Sequence, residues 1–214
     1  MMDDHKTCFI TALKETKREG IEAFLAYLET TDFYTAPAST KFHLAVPGGL
    51  LQHSLHVLKY AREEAKSVES LGIVIPQASV TLAGLLHDLC KVGYYVEGEE
   101  WDKEWKDKTN EWRKKKVFKV EDNLPLGHGE KSVILASRYL TLTPDEMAAI
   151  RWHMVGFDPS IHFFYPSGAP YQESTKRYPL VTLLAIADMK AAMVEGWMAL
   201  HPVQTPAPTA EPTT

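Results

Sequence analysis

The sequence predicts an all-α protein with one small β-hairpin or lid inserted around residues 94–123. Three observations predict it. Apolar residues recur at helical spacing through most of the chain, most clearly Leu82, Leu85, Leu86 and Leu89 at i, i+3, i+4 and i+7. The stretch YYVEGEEWDKEWKDKTNEWRKKKVFKVEDN breaks that spacing, mixes aromatics with charges and closes on the alternation KVFKV. Helix boundaries are signalled as well: Thr143 and Glu146 form a capping box with Pro144 at the first helical position.

In chain order, a first helix is expected from about Thr7 to Leu28, its stripe of Phe9, Leu13, Ile21, Phe24, Leu25 and Leu28 interrupted around Gly20. DFYTAPASTKFHLAVPGG follows as loop, because its prolines and paired glycines oppose a helix. A second, amphipathic helix starts near Gly49 and sets Leu51, Leu55, Leu58 and Ala65 on one stripe. The third begins after Pro76, ends near Gly93 and is the most apolar. Beyond the hairpin, helices run from about Gly129 to Leu140 and from Pro144 to a stop at Gly156. A long loop, FDPSIHFFYPSGAPYQESTKRYP, leads to a last helix from about Leu180 to Trp197. Residues 1–32 read as a helical segment packed on a central domain, 33–200, and the Pro/Thr-rich residues 201–214 as a disordered tail.

Composition excludes several classes. Hydrophobic residues at 45% with charged residues at 24% describe a chain that can bury a core without disulfide or zinc staples. Cys8 and Cys90 form no zinc-like pair, which makes a reducing cytoplasm the expected compartment. The acidic start MMDDHKTCFI lacks the basic, then apolar pattern of a secretory signal, and no apolar run reaches membrane-spanning length. A net charge of −5 gives no global attraction to polyanions, and the lone basic run Arg113–Lys116 reads as a solvated face.

The chemistry lies where ionisable residues interrupt apolar helices, since burying such a group unpaired costs several kcal/mol. Asp188 stands in LLAIADMKAAM, His87 and Asp88 end the leucine-rich helix, and His53, His128 and His153 occupy three others. Imidazole and carboxylate together suit Mn, Fe, Co, Ni or Zn, and the lack of thiolates argues against a structural zinc. Lys91, one turn past His87 and Asp88, would bring an ammonium to the same place. Thr40 and Lys41, beside Ser39 in APASTKFH, could reach a phosphate, and Gly127-His128-Gly129 brings a helix N-terminus that can hold an anion. Tyr94, Tyr95, Trp101, Trp105 and Trp112 could stack on a base, although packing on the domain beneath is the commoner use of such residues. His43 and His162 are candidates to support the ligands; His5, His56 and His201 have no place in the series.

The ordered series His53, His87-Asp88, His128, His153, Asp188, with Lys91 completing HDxxK, resembles the HD-domain superfamily of metal-dependent phosphohydrolases over about residues 33–192. The resemblance implies an all-α HD-domain helical bundle. It also implies one or two divalent transition metal ions: a first held by His53, His87, Asp88 and Asp188, a second by His128 and His153 with Asp88 bridging. Some members carry consecutive histidines at the fourth position, whereas Met154 follows His153 here. The implied activity is hydrolysis of a phosphomonoester or phosphodiester by metal-activated water, with Asp88 and Lys91 as catalytic residues. Lys91, Lys41, Thr40 and Tyr94 would contact the substrate, a nucleotide or short oligonucleotide. Two other readings stand beside it: a di-iron oxygenase built on the same ligand order, and an inactive nucleotide-binding regulatory module.

Overall fold

Gly20 divides what the apolar stripe suggested was one helix. In the computed structural model, which describes residues 2–103, 112–158 and 169–201, α1 covers Met2–Glu15 and α2 covers Ile21–Glu29. Gly20 lies between them at φ 89°, and a Cβ there would stand 1.9 Å from the backbone oxygen of Tyr139. Left-handed backbone and close approach both select glycine, so the chain turns where the stripe alone would carry on.

Helix α3 spans Gly49–Glu69 and α4 spans Gln77–Leu86. Their axes come close because Gly84 faces the backbone of α3, where a Cβ would lie 3.0 Å from Leu58 Cα. With α6 (Pro144–Trp152) and α8 (Pro179–Leu200) they form a four-helix core in which α4 and α8 each pack on both α3 and α6 and on one another. Helix α1 lies across α3 and α4, α5 (His128–Ser137) rests on α6, and α7 (Ala169–Arg177) rests on α8 and α6. Phe9, Phe24, Phe33, Leu50, Leu51, Leu82, Leu85, Leu86 and Leu89 are fully buried, which makes this a single apolar cluster from the N-terminus to α8.

Three boundaries differ from expectation. Helix α4 ends at Leu86, not near Gly93: Asp88 adopts φ −102°, ψ 19°, in the sparsely populated bridge region, and a 3-10 turn follows at Leu89–Lys91. The capped helix ends at Trp152 and is followed by a 3-10 turn, Val155–Phe157, rather than running on to Gly156. The expected long loop contains α7, begun by Ala169-Pro170 and closed by Lys176 and Arg177, a proline-first, cation-last order that suits a helix. Its Tyr171 packs on Trp152, with ring centroids 5.9 Å apart. The expected tail, His162 and Trp105 lie outside the described residues.

The insertion is a hairpin. Strands β1 (Tyr95–Lys103) and β2 (Trp112–Val120) pair antiparallel, with Glu99 opposite Lys116, Glu100 opposite Lys115 and Asp102 opposite Arg113. An acidic strand thus faces a basic one, and this fixes the register where few apolar contacts could. No helix among the described residues is long and apolar enough to cross a membrane.

The capping box at Thr143 does more than start α6. Glu146 is fully buried, and its carboxylate accepts hydrogen bonds from the Thr143 backbone N–H at 2.9 Å, Ser79 Oγ at 2.8 Å and Arg18 Nη2 at 2.5 Å. It therefore joins the start of α4 and the α1–α2 turn to the start of α6. Arg18→Met removes the cation and is expected to lower stability by about 3 kcal/mol, because the carboxylate stays buried without it. Urea unfolding checks this, and a midpoint equal to that of the unsubstituted protein would refute it.

Candidate metal centre

His87 and His153 each sit at the C-terminal end of a helix, at the caps of α4 and α6. Each turns its Nδ1–H back to a carbonyl three residues upstream, His87 to Gly84 at 2.9 Å and His153 to Ile150 at 2.7 Å. Those bonds fix the tautomer and leave Nε2 with its lone pair. Both Nε2 atoms are buried without a hydrogen-bond partner. Two orphaned imidazole nitrogens in a core are costly unless something else takes their lone pairs.

Carboxylates supply the remaining donors. Asp88 Oδ2 lies 3.4 Å from His87 Nε2 and 3.8 Å from His53 Nε2, and its Oδ1 lies 3.7 Å from His153 Nε2. Asp188 Oδ1, arriving from α8, is 3.1 Å from His53 Nε2 and 3.9 Å from His87 Nε2. His87, Asp88 and His153 form one group whose ligand atoms fall within 4.8 Å of one another, and His53, His87 and Asp188 form another. His87 belongs to both groups, and Asp88 turns Oδ2 toward His87 and His53 and Oδ1 toward His153. This nitrogen and oxygen donor set, buried and convergent, fits a borderline divalent metal.

The charges are arranged for that use. Burial alone would raise the carboxyl of Asp88, but the Lys91 ammonium and His87 hold it well below the usual range. Lys91 is itself buried, with Nζ 2.5 Å from Asp88 Oδ2; burial opposes its charge, and Asp88 holds its pKa above the usual lysine value. Asp188 is likewise held low against burial by His53 and His87. Burial pulls His53 down, yet its hydrogen bonds with Asp188 and Glu195 prevail and hold it at about 9. Without metal, a proton therefore occupies the face of His53 that meets Asp188.

Five of the predicted ligands, His53, His87, Asp88, His153 and Asp188, meet here. His128 stands at the margin: burial pushes it down, it responds to the charges of Asp88 and His153, and its ring packs on Tyr94 at 5.6 Å. Tyr94 is half-buried between His128 and Lys131, whose Nζ lies 5.2 Å from its ring centroid. Ser39 is used within its own loop, donating to the His43 carbonyl at 2.8 Å. Thr40 and Lys41 line a groove against the hairpin, where Lys41 lies 3.7 Å from Glu100. The aromatic residues divide: Tyr95 reaches the carbonyl of Ala38 at 3.4 Å, while Trp101 and Trp112 remain largely exposed instead of packing on the domain beneath.

Glu195 was missed. Nearly buried on α8, it accepts from His53 Nδ1 at 3.0 Å and from His56 Nδ1 at 2.7 Å, while the ring of His43 lies 4.7 Å from that of His53. A carboxylate behind a ligating imidazole fixes its orientation and raises its basicity. The signal was present in the sequence, since Asp188 and Glu195 are two helical turns apart on one face, as are His53 and His56 one turn apart. Glu195→Ala is expected to weaken metal binding about 10- to 100-fold, with Glu195→Gln recovering part of it. Competition titration against a chelator reads both; equal affinity in all three proteins would exclude this role.

A family model for the HD domain matches residues 50–193, which contain His53, His87, Asp88, His128, His153 and Asp188. No curated protein and no solved structure matched the chain. The match takes in two thirds of the sequence and the helices that carry the centre, and the chain belongs to the HD-domain family.

Proposed function

We propose that the protein is a metal-dependent hydrolase of phosphoester bonds, acting on a nucleotide or short oligonucleotide. HD domains are, in general, metal-dependent phosphohydrolases. The observation that carries the reading here is the pair of buried, unpartnered Nε2 atoms of His87 and His153, placed on either side of a carboxylate with both oxygens in use. A divalent ion at such a site supplies a water of lowered pKa and positive charge for the phosphoryl oxygens. Mn, Fe, Co, Ni and Zn all suit the donors, in one or two positions, the second drawing on His128 and His153.

The chain's own residues do the rest. Asp88 joins the two donor groups, and Lys91 keeps a positive charge beside it, where it can meet a phosphate oxygen. The substrate's outer part has room in a groove of about 710 Å³ between the 40–47 loop and the hairpin. Thr40, Lys41, Trp101, Lys115 and Lys116 line it, offering hydroxyl, ammonium and ring to phosphate and base. Tyr94, packed on His128, would contact the substrate beside the metal donors. The free thiols of Cys8 and Cys90 accord with a reducing cytoplasm.

Metal analysis of the purified protein followed by hydrolysis assays on mononucleotides, cyclic dinucleotides and short oligonucleotides tests the proposal. Bound transition metal with release of phosphate or a nucleotide is the expected result. Tightly held mixed-valence iron with oxygen uptake would replace it with the oxygenase chemistry, and metal-free, inert protein with the regulatory module.

A further inference from the structure

Among the described helices, α8 has an outward face that contradicts its position. Its inward face carries Leu180, Val181, Leu184, Ala187 and Ala191, together with Asp188 and Glu195 toward the centre. A helix lying on the outside of a bundle ordinarily turns charged residues to water. Here the exposed positions include Ile186, Met189, Met193, Trp197, Met198 and Leu200, at 42%, 57%, 62%, 57%, 51% and 80% exposure, and no charged residue of α8 is among its exposed positions. Lys190, at the border, is turned aside to Glu63 and Glu64 on α3.

Ile186, Met189, Met193, Trp197 and Leu200 share one side of α8 and together show roughly 600 Å² of surface, at the top of the range for the largest patch of a typical monomer and about three quarters of the ~800 Å² that each partner contributes to a standard interface, while Met198 projects to another side. Ile186, Met193 and Leu200 also recur every seven residues, with Met189 three after Ile186, the spacing by which one helix packs along another. The charge at its border, Lys190, is paired with Glu63 and Glu64, so the face meets little like-charge repulsion against its own copy and offers no uncompensated charge to a basic or acidic partner. The sequence after α8, PVQTPAPTAEPTT, has a single large apolar residue, Val203, and is too poor in apolar surface to serve as cover.

We infer that this face binds a second copy of the chain, α8 against α8 about a two-fold axis, to form a homodimer. The contact is isologous, so each apolar residue serves both copies. It also stiffens from outside the helix that brings Asp188 and Glu195 to the centre. This inference is independent of the metal chemistry and is tested without it.

Sedimentation equilibrium of the full chain at 1–100 µM is expected to give twice the 24.1 kDa chain mass. Met193→Glu, a change at an exposed position, is expected to raise the dissociation constant at least about 100-fold without altering the circular dichroism spectrum. Met147→Glu, on the exposed side of α6, is the control and should leave the dimer unchanged. A wild-type mass of one chain at 100 µM overturns the inference, whether the face then proves to bind vesicles, another protein or another segment of the same chain. A dimer that survives Met193→Glu and Trp197→Glu together overturns it too.

Discussion

Asp88→Ala is expected to strip the centre of metal and to reduce hydrolysis at least about 10³-fold, since groups that act as a unit fail together. Both oxygens of Asp88 face histidine nitrogens, so its loss opens the donor groups on both sides. The same substitution leaves the Lys91 ammonium buried beside a missing counter-charge, with an expected loss of about 3–5 kcal/mol in stability. The two effects separate in a pair of variants. Asp88→Asn/Lys91→Met removes both charges and should recover much of the stability while remaining devoid of activity. Metal per chain, turnover and urea midpoints read the three quantities; unchanged metal content and turnover in Asp88→Ala would overturn the assignment of the centre.

In the metal-free protein, stability is expected to fall as pH rises from about 6.5 to about 9, by on the order of 3 kcal/mol. The sign follows from His53, whose pKa stands near 6.5 in the unfolded chain and is held at about 9 in the fold. Folding then favours the bound proton: the contribution is complete below 6.5 and is lost as pH rises through 9. His153 is raised as well, burial opposing and Asp88 favouring its charge, and adds in the same direction. Metal reverses the trend, because a ligand nitrogen must shed its proton first, so the stabilisation gained on adding metal should grow across the same window. Melting temperatures from pH 6 to 9, with chelator and with Mn, measure both slopes. A chelated protein whose melting temperature stays level across that range would refute the account of His53.

The cluster of His53, His87, Asp88, His153 and Asp188 was legible in the sequence as a set of candidate ligands, because a polar residue inside an apolar helix stands out against its periodicity. Glu195 left only a weak signal, its spacing from Asp188. It sits near the end of a helix, where a glutamate passes for solvated, and only the fold turns it inward onto His53 and His56. His128 reads in sequence as an equal member of the series, yet the path between β2 and α5 holds it beside Tyr94 at the edge. The helix order was legible from apolar spacing, and so was an interruption around Gly20, but not that it separates two helices, because the close approach that fixes the turn is to the backbone oxygen of Tyr139, more than a hundred residues away. Periodicity speaks for the face of a helix and is silent about what crosses its end. Helix α7 escaped for a related reason: Ser-Gly-Ala-Pro reads as punctuation unless Tyr171 is known to have Trp152 to pack on.

The neck of the hairpin has a further meaning. The chain leaves the helical frame at Tyr94 and rejoins it at Glu121, whose N–H donates to the Tyr94 carbonyl at 2.9 Å. To the frame, the whole excursion is a single point, and its length and contents can change without moving any helix that carries the centre. A change of residues along β1 and β2 therefore reshapes the groove wall while the helices that carry His53, His87, Asp88, His153 and Asp188 keep their places.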